Sequence, residues 1–215
     1  MHEYAVSQNV RKWAWLILAL IAWMISAGYT VLSRAYPGCS IHPMIESPSI
    51  LGVFGVLTFL YDRWGWKWKV FGLRLSPITD YSGIWEGVIH SDYNGGTSVK
   101  CTLTISQNWH QIYCELKTDK SRSVSKSATI GIGIGENTGL TWQYVNKPHH
   151  DCKSDMQVHH GVATAQIDGQ GGMICDYYNC GRERSTCGTI RLHKRTHGTE
   201  NNSVNIDVKV ATHEV

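Results

Sequence analysis

Residues 98–118 read SVKCTLTISQNWHQIYCELKT, and their period decides the fold. Val99, Cys101, Leu103 and Ile105 alternate with polar residues, and Ile112, Cys114 and Leu116 do the same. Successive side chains of a strand point to opposite faces, so each run presents one apolar face. That predicts strands over Ser98–Ser106 and Gln111–Thr118. The short link between them favours an antiparallel pair, because a parallel pair needs a long crossover.

The period of two continues in both directions. Strand-like runs occupy Gly83–Ser91, Ser123–Gly135, Leu140–Asn146, His160–Asp168, Gly172–Tyr178 and Gly188–Arg195. Turn-forming clusters separate several of them: Asn94-Gly95-Gly96, Glu136-Asn137-Thr138-Gly139 and Asp168-Gly169-Gln170-Gly171. Eight such strands predict an antiparallel, up-and-down β-barrel of the size that holds one small ligand. Val204–Val210 offers a ninth strand. Ser76-Pro77 marks the start of this domain, which takes residues 76–215.

Residues 1–75 have another character. Trp13–Ser33, WAWLILALIAWMISAGYTVLS, carries no charge, and Arg11, Lys12 and Arg34 bracket it. As a helix it is about 31 Å long, the thickness of a bilayer's hydrocarbon core. A cleaved signal peptide and a buried soluble helix are the competing readings, but a signal peptide's apolar core is shorter. A second apolar run, residues 48–64, follows. Ser47 reads as its N-cap and Pro48 as its first helical residue. It is short for a crossing, so a re-entrant hairpin competes with a second transmembrane helix. Trp64, Trp66 and Trp68, interleaved with Lys67 and Lys69, read as an interfacial anchor. Positive charge lies before the first run and after the second, which predicts both ends in the cytoplasm. Seven cysteines, an odd count at mostly strand-like positions, fit reduced thiols there. The net charge of +3 is small, and no basic tail suggests a DNA or RNA polymer as partner.

Several groupings carry candidate chemistry. Gly83-Ile84-Trp85 is similar to the opening of lipocalin-like barrels, where an indole plugs one end. In Ser121-Arg122-Ser123-Val124-Ser125-Lys126-Ser127 the serines alternate and share one face. They form either a polar surface strip or a polar pocket whose hydroxyls bond phosphate or base edges. Trp142, Tyr144 and Asn146 also share a face, as core aromatics or as a stacking platform with an amide to read a base edge. The hairpin from Tyr177 to Gly188 contains Tyr178, Arg182, Arg184 and Thr186. Two guanidinium groups two residues apart suit phosphate oxygens, the alternative being a solvated hairpin. The histidines and cysteines from His149 to Cys187 match no common zinc spacing. No P-loop, Gly-x-Ser-x-Gly or His-Glu-x-x-His motif is present, so we expect no metal, no cofactor and no enzyme.

In order along the chain stand Ser82-Gly83-Ile84-Trp85-Glu86-Gly87, Ile105-Ser106-Gln107-Asn108-Trp109, Thr118 with the alternating serines, Tyr144-Val145-Asn146-Lys147-Pro148 and His160-Gly161. Tyr177-Tyr178 with Arg182, Arg184, Thr186 and Gly188 ends the series. This ordered set, behind two apolar runs, resembles the two-transmembrane β-barrel effectors of bacterial cyclic-oligonucleotide anti-phage signalling (CBASS). The resemblance implies an inner-membrane protein whose cytoplasmic lipocalin-like barrel binds a cyclic dinucleotide made by a partner nucleotidyltransferase. It implies oligomerisation on binding, disruption of the membrane lipids and death of the infected cell. It also implies that Tyr144, Asn146, Arg182, Arg184 and Thr186 contact the ligand; Ser121, Ser123, Ser125 and Tyr178 complete the expected site. The other reading is a membrane-tethered carrier of a hydrophobic molecule. The many histidines and cysteines from His149 to Cys187 depart from the family's pattern. Gly52 with Gly55, and Ala22 with Ser26, give small faces through which helices approach closely, between copies or within one chain.

Overall fold

The computed structural model describes residues 1–6, 9–36, 49–133, 138–152, 157–180 and 185–195. Two helices come first, α1 (Val10–Ala35) and α2 (Ile50–Arg63). Among the described residues α1 alone is long and apolar enough to cross a membrane. Helix α2 is 14 residues, about 21 Å at 1.5 Å per residue. Its N-cap is Ser49, whose hydroxyl accepts the Gly52 amide at 3.0 Å. The expected cap, Ser47, and Pro48 lie outside the described residues.

Leu18, Ala22 and Ser26 form the buried stripe of α1, which lies along α2, with the Trp15 and Phe54 rings 5.9 Å apart. Ala22 and Ser26 thus serve the helix pair of one chain, whereas Gly52 and Gly55 are exposed. Much of the rest of α1's apolar surface, including Leu16, Leu20 and Trp23, is exposed.

The strands after the helices are β2 (Lys69–Val70), β3 (Leu73–Arg74), β4 (Gly83–Ser91), β5 (Thr97–Gln107), β6 (Gln111–Lys117), β7 (Ser121–Gly131), β8 (Gly139–Pro148), β9 (His159–Ile167), β10 (Gly172–Cys180) and β11 (Ser185–Lys194). β2 and β3 form a small hairpin by themselves. β4 to β11 pair in chain order, each antiparallel to the next, and β11 returns to pair with β4, so the ladder closes on itself.

A further strand joins from an unexpected place. β1 (His2–Val6) enters between β6 and β7, antiparallel to the first and parallel to the second. β6 and β7 pair directly only from Glu115 to Lys117, and β1 fills the fork below. The other candidate for a ninth strand, Val204–Val210, lies outside the described residues.

The inner face is apolar at one end. Leu103, Ile105, Ile130, Leu140, Met173 and Leu192 are buried there, above a plug of Ile78, Tyr81, Trp85 and Trp66. The Trp85 indole donates to the Tyr81 carbonyl at 3.0 Å, and Lys194 lies over its ring. Trp66, expected at the membrane interface, is 1% exposed in this core. Trp64 and Trp68 remain exposed.

The helices meet the sheet at this same end. Trp109, in the turn between β5 and β6, is buried against Trp15 of α1 and Tyr61 of α2. Asp62 holds the turn: its carboxylate accepts from His110 Nδ1 at 2.6 Å and from the His110 amide at 3.1 Å. Arg11 donates to the Tyr4 and Trp109 carbonyls at 2.9 and 3.1 Å.

Candidate ligand-binding site

The opposite end of the closed sheet gathers the start of β7, the end of β8, the start of β9, the end of β10 and the start of β11. There the inner face turns polar. Ser121, Ser123 and Ser125 alternate inward from β7 and are buried. Ser123 stands opposite Asn146 of β8 and donates to its Oδ1 at 2.8 Å. Ser121 belongs to the β6–β7 turn: its amide donates to Thr118 Oγ1 at 3.0 Å, and the two hydroxyls are 3.2 Å apart.

Ser125 sits where β6 and β7 part. Its hydroxyl accepts the Cys114 amide at 2.9 Å and lies 2.8 Å from His2 Nε2 of β1. That amide would otherwise lack a strand partner, so Ser125 closes the fork. The register of β7 against β8 slips between Ser125 and Ser127. A bulge adds one residue and reverses the parity beyond it. Ser127, read from sequence as sharing the serine face, is therefore exposed, and Ala128 and Ile130 point inward instead.

A second set of contacts crosses the sheet. The Tyr144 hydroxyl donates to Asn179 Oδ1 at 2.5 Å, and Asn179 Nδ2 donates to Thr186 Oγ1 at 2.9 Å. This chain links β8, β10 and β11 across β9. It passes over Gly161, where a β-carbon would collide with the Tyr144 ring and the Tyr178 carbonyl. Gly188 plays the same part under the Tyr177 ring. Burial raises the hydroxyl pKa of both tyrosines, so each remains a neutral donor at physiological pH.

Tyr144, Asn146, Thr186 and the three serines thus come together at one end of the sheet. Tyr178 does not join them: it is 65% exposed on the outer face. Its neighbour Tyr177 is the inward ring. Arg182 and Arg184, between the paired residues Cys180 and Ser185, lie outside the described residues. Tyr177, Asn179 and His2 were not expected. For the first two the signal was in the sequence, since Met173, Cys175, Tyr177 and Asn179 share one parity. For His2 no sequence signal exists, because β1 is placed by partners far along the chain.

The arrangement offers neutral hydroxyl and amide groups beside aromatic rings. Such a set can bond the edges of a base and stack on its face. Among the described residues no three His, Cys, Asp or Glu side chains converge to hold a metal. Burial pushes the Cys101 and Cys114 thiols up to about 12 and raises Cys175 as well, so these are inert packing groups.

Residues 76–194 match the family model described as "Cap15, cyclic dinucleotide receptor domain". This chain belongs to that family, the CBASS effectors which its ordered motifs resemble. Its relatives include proteins named CD-NTase-associated protein 15. The one from Staphylococcus schleiferi is 29% identical over 64% of this chain and 72% of its own length. The one from Yersinia aleksiciae is 27% identical over 68% of this chain and 69% of its own. A third, from Escherichia albertii, is 26% identical over 58% and 66%.

Proposed function

We propose that this chain is a membrane effector of bacterial anti-phage defence. Its sheet domain, a lipocalin-like barrel, binds a cyclic dinucleotide made by a partner nucleotidyltransferase. The observation that carries the proposal is the receptor-family match over residues 76–194, laid on an end whose inner face is hydroxyl, amide and aromatic. In this reading Tyr144 and Tyr177 flank a base, Ser123 and Asn146 read its edge, and Arg182 and Arg184 meet phosphate oxygens.

The helices form a two-pass hairpin in the inner membrane, with the N-terminus and the barrel in the cytoplasm. Supporting this, Trp109 touches both the start of α1 and the end of α2, which puts those two ends on one side. Ligand binding promotes oligomerisation, which gathers the helices. A second helix as short as α2 is accommodated by thinning the bilayer around it, and several thin a patch together. That is a route to membrane disruption and cell death.

The test is calorimetric titration of the full chain in lipid nanodiscs with a panel of cyclic dinucleotides and a long-chain fatty acid. One cyclic dinucleotide should bind, and Asn146→Ala should weaken it at least tenfold. Binding of the fatty acid alone would make the protein a carrier that uses the apolar half of the inner face.

A further inference from the structure

The chain from Trp68 to Leu75 forms an amphipathic hairpin standing clear of the closed sheet. Lys69 pairs with Arg74 and Val70 with Leu73, and the Leu75 amide donates to the Trp68 carbonyl at 3.0 Å. By strand parity Trp68, Val70, Leu73 and Leu75 share one face, all exposed, while Lys69 and Arg74 share the other. Phe71 at the tip is 100% exposed.

Three features of this hairpin are unfavourable in water. Phe71 is the one described non-glycine residue with positive φ, 51°, and Gly72 follows at 79°. A two-residue turn with both φ values positive favours Asn-Gly, not a bulky aromatic. Lys69 and Arg74 are like charges directly opposite, which repel, and among the described residues neither forms an ion pair. An isolated two-stranded hairpin is itself marginal in water. Against an anionic lipid surface the backbone strain at Phe71 is unchanged, but the charge repulsion is relieved and the exposed apolar groups are covered. The aromatic tip and the apolar face enter the acyl boundary, and the paired cations meet lipid phosphates.

Its place in the fold fits. The hairpin follows α2 after a single turn, and Tyr61 in the last turns of α2 donates to the Leu75 carbonyl at 3.2 Å. The hairpin base is thereby tied beside the helix end that carries the exposed Trp64.

We propose that the β2–β3 hairpin docks on the anionic leaflet around α2, with Phe71 inserted, and fixes the tilt of the sheet domain over the membrane. This rests on reading α1 and α2 as membrane helices. The experiment places p-benzoylphenylalanine at position 71 of the full chain, in vesicles of phosphatidylcholine with or without phosphatidylglycerol. Ultraviolet light should give a photoproduct heavier by one phospholipid, with yield at least threefold higher when phosphatidylglycerol is present. The same residue at position 162, on the outer face of β9, should give none. Crosslinking to a second copy, absence of lipid adduct, or a yield indifferent to lipid charge would overturn the proposal while the chain still resists carbonate extraction. Extraction of the chain by carbonate would instead remove the membrane reading beneath it.

Discussion

At the scale of single residues the site depends on what is missing from Gly161. A methyl group there would overlap the Tyr144 ring, and the ring has no free direction because its hydroxyl is bonded to Asn179. Gly161→Ala should cost about 1–3 kcal/mol as an overpacked substitution. It should also weaken ligand binding at least as much as Tyr144→Ala, measured by thermal unfolding and titration side by side. A different residue reports on thiol chemistry. Cys187 is exposed, and its thiol donates to Asp92 Oδ2 at 3.2 Å. That bond and the carboxylate's charge favour the protonated thiol and raise its pKa. Asp92→Asn should lower it, leaving more thiolate at pH 8. Iodoacetamide should then modify Cys187 faster in the variant, by mass spectrometry, and the two rates should converge well above the thiol's pKa. Buried Cys101, Cys114 and Cys175 should remain unmodified in both. Period two alone makes legible that Ser121, Ser123 and Ser125 share one face, and that Tyr144 shares one with Asn146; that both faces turn inward comes from the fold. The outward turn of Ser127 is not legible, because alternation carries no sign of the bulge between Ser125 and Ser127.

Among the elements, the joint between helices and sheet concentrates in one turn. Asn108 Oδ1 accepts the His110 and Gln111 amides at 3.0 and 2.6 Å, which shapes the turn, and Asp62 grips it from α2. An acid at the end of an apolar run looks from sequence like an interruption; in the fold it is a clasp. Asp62→Ala should leave cyclic dinucleotide affinity within twofold yet sharply reduce dye entry into cells when the ligand is produced. If dye entry persisted, the signal would reach the helices by another route. Eight of the strands were legible because each carries its own alternation and its own turn residues. β1 was not: His-Glu-Tyr-Ala-Val is too short to show a period, and its pairing is set by Ile112 and Ala128 to Ile130. The hairpin of β2 and β3 escaped for a related reason, since its tip lacks the Asn-Gly that normally announces such a turn.

On the scale of the whole molecule, the receptor-family match covers residues 76–194 and leaves β1 outside it. The sheet is incomplete without that strand. Tyr4 is buried, donates to the Trp109 carbonyl at 2.9 Å, and carries the Arg11 guanidinium over its ring. Removing residues 1–6 strips this contact and bares the facing edges of β6 and β7, which invite pairing with another chain. Losing a buried aromatic costs about 3–5 kcal/mol. The truncated chain should melt roughly 10 °C lower, at 2–4 °C per kcal/mol for its size. It should also self-associate without ligand, as read by light scattering. A truncated chain as stable and monodisperse as the full one would show that β1 is ornamental.

The position of β1 also sets an order of manufacture. It leaves the ribosome ahead of the helices and of the rest of the sheet, yet His2 and its partner Ser125 are 123 residues apart. At ~5–20 residues per second the strand waits roughly 6–25 s for the rest of its sheet. Both apolar helices emerge within that interval. In the proposed reading of α1 and α2 as membrane helices, the newborn chain enters the bilayer before it can bind anything, and its sensor is finished on an anchor already in place.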